Sequence, residues 1–98
     1  LGELLLIGAI ENSIRKNSRV VTLEVRISND TAISLYEKYN FRRVGVRKGY
    51  YTDNREDAAI MTTEPIHSLS YRQKFSELRE AYLQRHGSLE ITLGAPAN

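Results

Sequence analysis

The chain has 98 residues, enough for one small domain, and a chain of that size buries roughly 60 to 65 % of the surface its unfolded form exposes. Fourteen Lys and Arg against twelve Asp and Glu give a formal charge of +2, too small a bias for a nucleic-acid footprint, which needs a concentrated basic stripe. With no cysteine, disulfides and thiolate chemistry are excluded, and the longest apolar run, "LLLIGAI" at residues 4–10, falls far short of the roughly 20 residues of a membrane span and has no basic lead-in of a signal peptide.

Periodicity predicts a helix over residues 3–17, with Leu6, Ile10 and Ile14 recurring every four residues and Leu4, Ile7 and Glu11 beside them. Gly8 interrupts that face at a cost of about 1 kcal/mol relative to Ala, which points to close packing there. "RKNSR" places basic residues at the C-terminal end, where they complement the helix dipole. The opening Leu1-Gly2-Glu3, without a methionine and already at the threshold of a helix, leads us to expect a fragment or partial gene product, a processed terminus being the alternative.

Residues 20–26, "VVTLEVR", read as a strand with Val21, Leu23 and Val25 on one face and Val20, Thr22, Glu24 and Arg26 on the other. Helices before and after it predict a parallel strand covered on at least one side. "SND" supplies cap oxygens for the next helix, with Asn29 favoured over Ser28. That helix runs to Tyr39, buries Ala32, Leu35 and Tyr39 with Ile33 and Tyr36 on a neighbouring line, and stops at Asn40 in a left-handed conformation. Residues 42–51 and 58–63 form a predicted antiparallel pair around the polar turn "TDNRE". Tyr71, Phe75, Leu78 and Tyr82 mark a last amphipathic helix, capped by Ser68 or Ser70 and ended by Gly87, before a tail from Ser88 that is expected to be poorly ordered. The order helix, strand, helix, hairpin, helix is that of an α/β protein.

Two readings stand for each chemically suggestive residue. Glu24 is either a solvated carboxylate paired with Arg26 or Arg47, or a general base held on a stiff strand beside a cleft. Tyr36 is either an amphipathic side chain at the helix edge or a phenol that donates a proton. Both lie near one strand-to-helix junction, and ligand sites in α/β domains favour the carboxyl ends of strands. Tyr50 and Tyr51, beside Arg47 and Lys48, read as aromatics packing on the first helix or as a stacking surface. Neither His67 nor His86 has companions for a metal site, so no metal is assigned.

Four blocks in order, "VTLEVRISN", "AISLYEKYNF", "VGVRKGYY" and "REDAAIM", span residues 20–61 and resemble the C-terminal half of the GCN5-related N-acetyltransferase superfamily, most of all its ribosomal-protein-alanine N-acetyltransferase branch. The resemblance implies a partial acetyltransferase fold, an α-β-α-β-β core over residues 1–66, with a branch-specific helical extension at 67–87 and a flexible tail at 88–98. It implies acetyl-CoA as donor, the amino terminus of a polypeptide such as a ribosomal protein as acceptor, no metal, no nucleic acid, no membrane, and a cytoplasmic setting. It assigns Glu24 as general base, Tyr36 as general acid toward the CoA thiolate, and Asn29 as a CoA contact. Only the last two positions of the family's pyrophosphate loop, R/Q-x-x-G-x-G/A, are present, as Leu1 and Gly2, so the backbone of Gly2, Glu3 and Leu4 is expected at the pyrophosphate. Tyr50, Tyr51 and Asp57 are expected at the acceptor groove, although Asp57 reads equally well as a partner of Arg55. Asn40 departs from the family's usual Gly and preserves the helix stop. Because the family's amino-terminal strands are missing, the 98 residues alone are expected to be inactive or nearly so, and to associate through the unpaired edge of the strand at 20–26. Two non-enzymatic alternatives remain at this stage: a CoA- or peptide-binding module without turnover, and a structural interaction protein.

Overall fold

The computed structural model describes residues 2–86. Six elements follow the expected order: α1 (Glu3–Arg15), β1 (Thr22–Arg26), α2 (Asp30–Lys38), β2 (Phe41–Arg47), β3 (Ala58–Thr63) and α3 (Leu69–Arg85). Local chemistry sets their ends. Asn29 Oδ1 accepts from the Ala32 N–H at 3.1 Å and caps α2, Ser68 Oγ accepts from the Tyr71 N–H at 3.1 Å and caps α3, and Asn40 takes the left-handed φ of 66° that ends α2. The expected Gly87 terminator and the tail lie outside the described residues.

The three strands form one antiparallel sheet in the order β1-β3-β2. The expectation of a parallel β1 is therefore corrected. β1 points the same way as β2, but β3 lies between them and runs against both. In register, Glu24 faces Ile60, Val25 faces Ala59 and Arg26 faces Ala58 on β3, while Gly45, Val46 and Arg47 face the same three residues from β2. A shift between Arg43 and Gly45 leaves Val44 as an extra, exposed residue in β2.

Alternation along the strands divides the sheet into two faces. Val25, Ala59, Met61 and Phe41 turn to the covered face, where they join Leu6, Ile7 and Ile10 of α1, Tyr36 and Tyr39 at α2, and Tyr71 and Phe75 of α3 in a single cluster. Each fully buried Leu, Ile or Phe in such a cluster contributes roughly 1.5–3 kcal/mol. α3 is tied in by polarity as well, since Tyr71 Oη donates to the Tyr39 carbonyl at 3.1 Å in a buried position. Gly8 is exposed, and a Cβ built there would meet nothing within 4 Å, so the close packing expected at that glycine is absent. The other face carries Thr22, Glu24, Arg26, Ala58, Ile60, Thr62 and Arg47 by the same alternation.

β1 is an edge strand. Val21 and Thr63, then Ile27 and Asp57, are joined by backbone hydrogen bonds at its two ends, so the odd-numbered positions spend their backbone groups on β3. Thr22, Glu24 and Arg26 direct theirs outward. Among the described residues no strand meets that outer edge.

Candidate functional site

Glu24 stands mid-strand on the open face with its side chain 31 % exposed. Of the two partners expected for it, the structure selects Arg47, whose Nη1 donates to Glu24 Oε2 at 3.1 Å. Arg26 turns the other way, to Asp53 at 2.9 Å and Glu56 at 3.2 Å. The carboxylate is therefore half-desolvated, charge-paired and adjacent to the free backbone edge of its own strand.

Tyr36 is more deeply set than a helix-edge side chain, at 6 % exposure, with its ring 5.7 Å from that of Phe41. Its hydroxyl has no protein partner among the described residues and is not sealed from solvent. Burial first, and Tyr51 second, push its phenol above the ordinary value, so it stays protonated at neutral pH. The ring joins the core cluster on the covered face, whereas Glu24 lies on the open one.

At the start of α1, Gly2 is extended (φ −78°, ψ 163°) and supplies no side-chain cap, and a Cβ there would meet nothing within 4 Å. The first intrahelical bond runs from Leu6 N–H to the Gly2 carbonyl, leaving the N–H groups of Glu3, Leu4 and Leu5 without helical acceptors. The Glu3 carboxylate is turned aside. Its Oε2 accepts from Tyr39 Oη at 2.6 Å and Lys38 Nζ at 3.0 Å, with Arg85 at 3.7 Å. Burial opposes ionisation of Glu3, but those hydrogen bonds and the charges of Lys38 and Arg85 hold its carboxyl below the usual range. This tie among three helices was not foreseen. Its only sequence signal was an acid in the first turn of α1. Asn29 spends Oδ1 on the cap of α2, which leaves its amide nitrogen without a partner among the described residues.

Tyr50 and Tyr51 meet edge to face at 5.1 Å. They do not take the expected place in the core against α1. Arg47 lies 4.7 Å above the Tyr50 ring and Arg26 lies 4.0 Å above that of Tyr51. Asp57 accepts from the Gly49 N–H at 2.9 Å and from Lys48 at 3.4 Å, so it shapes the turn at Gly49 (φ 58°) instead of pairing with Arg55. The Gly49 N–H, with burial opposing and Lys48 assisting, holds the Asp57 carboxyl below its ordinary value. An open cleft of about 380 Å³ at this turn is lined by Lys48, Gly49, Thr52 and Arg55. Glu24 and Tyr36 are not among its walls. No group of three His, Cys, Asp or Glu suited to a metal occurs among the described residues, and no helix among them is long and apolar enough to cross a membrane.

No family model matches the sequence. Individual relatives do. The chain is 44 % identical over 63 residues to the ribosomal protein bS18-alanine N-acetyltransferase of Escherichia coli, covering 62 % of this chain and 43 % of that protein. A Bacillus subtilis protein provisionally named for the same activity is 51 % identical over 61 residues, covering 62 % and 40 %. An N-alpha-acetyltransferase of Saccharolobus solfataricus is 58 % identical over 45 residues, covering 46 % and 26 %. The chain thus spans less than half the length of these relatives. Among solved structures, the Escherichia coli ribosomal-protein-S18-alanine N-acetyltransferase superposes with a TM-score of 0.57 at 42 % identity over 66 % of this chain and 43 % of that one. A NatC complex bound to Gag peptide and CoA superposes with a TM-score of 0.59 at 29 % identity over 63 % and 38 %.

Proposed function

We propose that this chain, which resembles part of a GCN5-related N-acetyltransferase domain of the ribosomal-protein-alanine branch, belongs to a protein that transfers the acetyl group of acetyl-CoA to the α-amino group of a polypeptide. The first acceptor to test is the amino-terminal alanine of a ribosomal protein, which would set the protein's place in the cytoplasm. The observation that supports the reading is the Glu24 carboxylate on the open face of β1, an edge strand whose outward backbone groups at Glu24 have no neighbouring strand among the described residues.

An α-ammonium has a reference pKa of about 7.7–8, so freeing the amine near neutral pH costs on the order of 1 kcal/mol. Glu24 takes that proton, directly or through one water, from an amine approaching over the open face. Bound acetyl-CoA supplies an acyl carbonyl activated as a thioester. The outward-directed Glu24 N–H is a donor suited to a carbonyl oxygen held at the edge. Tyr36 waits on the opposite face with its proton in place. A thiol titrates near about 8.5 and a phenol near about 10, and burial raises this one further. Tyr36 therefore assists the departing thiolate by a hydrogen bond, and loss of its hydroxyl slows turnover without ending it.

The residues present fit a CoA pyrophosphate at the start of α1. Three backbone N–H groups there have no helical acceptor, no side chain fills the approach at Gly2, and the Glu3 carboxylate is occupied elsewhere. Gly2, Glu3 and Leu4 would hold the phosphates through backbone groups, and Asn29 would add its free amide nitrogen. Tyr50 and Tyr51 would border the incoming peptide, with Asp57 fixing the turn beside them. The free edge of β1 also supports association of the isolated chain with another strand.

An acetyl-transfer assay with an alanine-starting peptide tests this. The complete domain is expected to turn over, while the 98-residue chain alone is expected to be inactive and to self-associate in sedimentation. Full activity in the short chain would show that no further strand is needed at the β1 edge. Binding of acetyl-CoA by the complete domain without turnover would favour a non-catalytic module, and binding of neither substrate would favour an interaction protein.

A further inference from the structure

Arg47 leaves β2 on the open face and reaches over β3 to Glu24 on the far strand. The row beneath makes room for it. Arg26, Ala58 and Arg47 are in register, and Ala58 is 0 % exposed although it sits on the open face between the two arginines. The neighbouring row holds Gly45, which has no side chain to obstruct the crossing, beside Ile60 and Glu24. At its end the guanidinium has two partners at once: Nη1 donates to Glu24 Oε2 at 3.1 Å, and its central carbon lies 4.7 Å from the Tyr50 ring centre.

We propose that Arg47 is a positioning residue for Glu24, fixing the carboxylate on the open face of the sheet while the Tyr50 ring backs the guanidinium. This rests on the reading of Glu24 as the base. A planar guanidinium can donate edge-on to a carboxylate and present its face to an aromatic ring, which an ammonium cannot do. A pair this exposed adds little to folding. Its effect falls on the orientation of one carboxylate, where small displacements have large kinetic consequences. Arg47 reaches the chemistry through Glu24 and does not contact the reacting atoms itself.

The test is a double-mutant cycle in the complete domain, with R47M, E24Q and the pair assayed for transfer from acetyl-CoA to an alanine-starting peptide, and folding checked by circular dichroism. R47M is expected to lower kcat on the order of 10-fold with the KM for acetyl-CoA unchanged. R47K, which keeps charge but not the stacked plane, is expected to fall between. In the E24Q background, R47M is expected to add nothing, because its effect passes through the carboxylate. The same 10-fold loss in both backgrounds, or no loss from R47M alone, would overturn the proposal. An E24Q variant that turns over at the wild-type rate would instead bring down the assignment of the base, and this proposal with it. If R47M does not fold, R47K against E24Q completes the same cycle.

Discussion

Replacing Tyr39 by Phe removes one hydroxyl from the junction of α1, α2 and α3 and leaves the ring in place. That ring is 1 % exposed and packs edge-on against Phe75 at 6.2 Å. The lost bond is short, 2.6 Å, and its acceptor is the Glu3 carboxylate, whose side chain is only 17 % exposed. Hydrogen bonds to charged groups contribute about 1.5–3 kcal/mol. Lys38 and Arg85 remain as partners of Glu3, so the loss belongs in the lower half, about 1.5–2 kcal/mol. For a domain of this size that is a fall in Tm of roughly 6 to 15 °C, read by thermal and urea unfolding of the chain. The pH dependence fixes the cause. The folded Glu3 carboxyl is held below its ordinary 4.5, so its contribution is present above that value and disappears as pH falls through the folded one. The Tyr39 phenol is held above its ordinary 10.0, so its contribution is complete below that value and fades as pH rises toward the folded one. The difference between wild type and Tyr39→Phe is therefore expected to be full at pH 7 and to shrink in acid. A difference that stays constant down to pH 2 would show that the loss comes from packing and not from the carboxylate.

Gly8→Ala is expected to stabilise the chain by up to about 1 kcal/mol, because the position is exposed, helical and free of neighbours; a lower urea midpoint would reveal a contact at that face. Asn29→Ala removes the cap of α2 and is expected to cost about 1 kcal/mol in urea unfolding. It is also expected to weaken acetyl-CoA binding by the complete domain in calorimetry, and unchanged affinity would take Asn29 out of the cofactor site.

Where the code is local, the sequence was readable. A side-chain oxygen just before each apolar stripe marked Asn29 ahead of Ser28 and narrowed the cap of α3 to Ser68 or Ser70, of which Ser68 serves, and a residue tolerant of positive φ marked Asn40 as the stop of α2. Alternation separated Val25 from Glu24 correctly. What escaped was decided across the chain. The pairing of β1 with β3 joins Glu24 to Ile60, and nothing within either strand specifies that neighbour. The selection of Arg47 over Arg26 as partner of Glu24 follows from that sheet order and from the short side chains at Ala58 and Gly45. Tyr50 and Tyr51 found arginines from two strands because those strands meet around β3. Gly8 misled because a glycine in an apolar helix has two causes, a close neighbour or none at all, and sequence does not distinguish them. The four matching blocks singled out Glu24, Asn29, Tyr36, Tyr50, Tyr51 and Asp57 as candidates. Their arrangement, with Glu24 on the open face of the sheet and the Tyr36 ring in the covered core, was legible only in three dimensions.

The kcat of Glu24→Gln in the complete domain, with acetyl-CoA and an alanine-starting peptide, reaches the central claim most directly. A carboxylate that accepts the acceptor's proton is expected to leave a deficit on the order of 10²- to 10⁴-fold when its oxygen is replaced by an amide, with Tyr36→Phe slower than wild type and acetyl-CoA binding intact in both. Turnover of Glu24→Gln at the wild-type rate would contradict it, and would reduce Glu24 to a surface partner of Arg47.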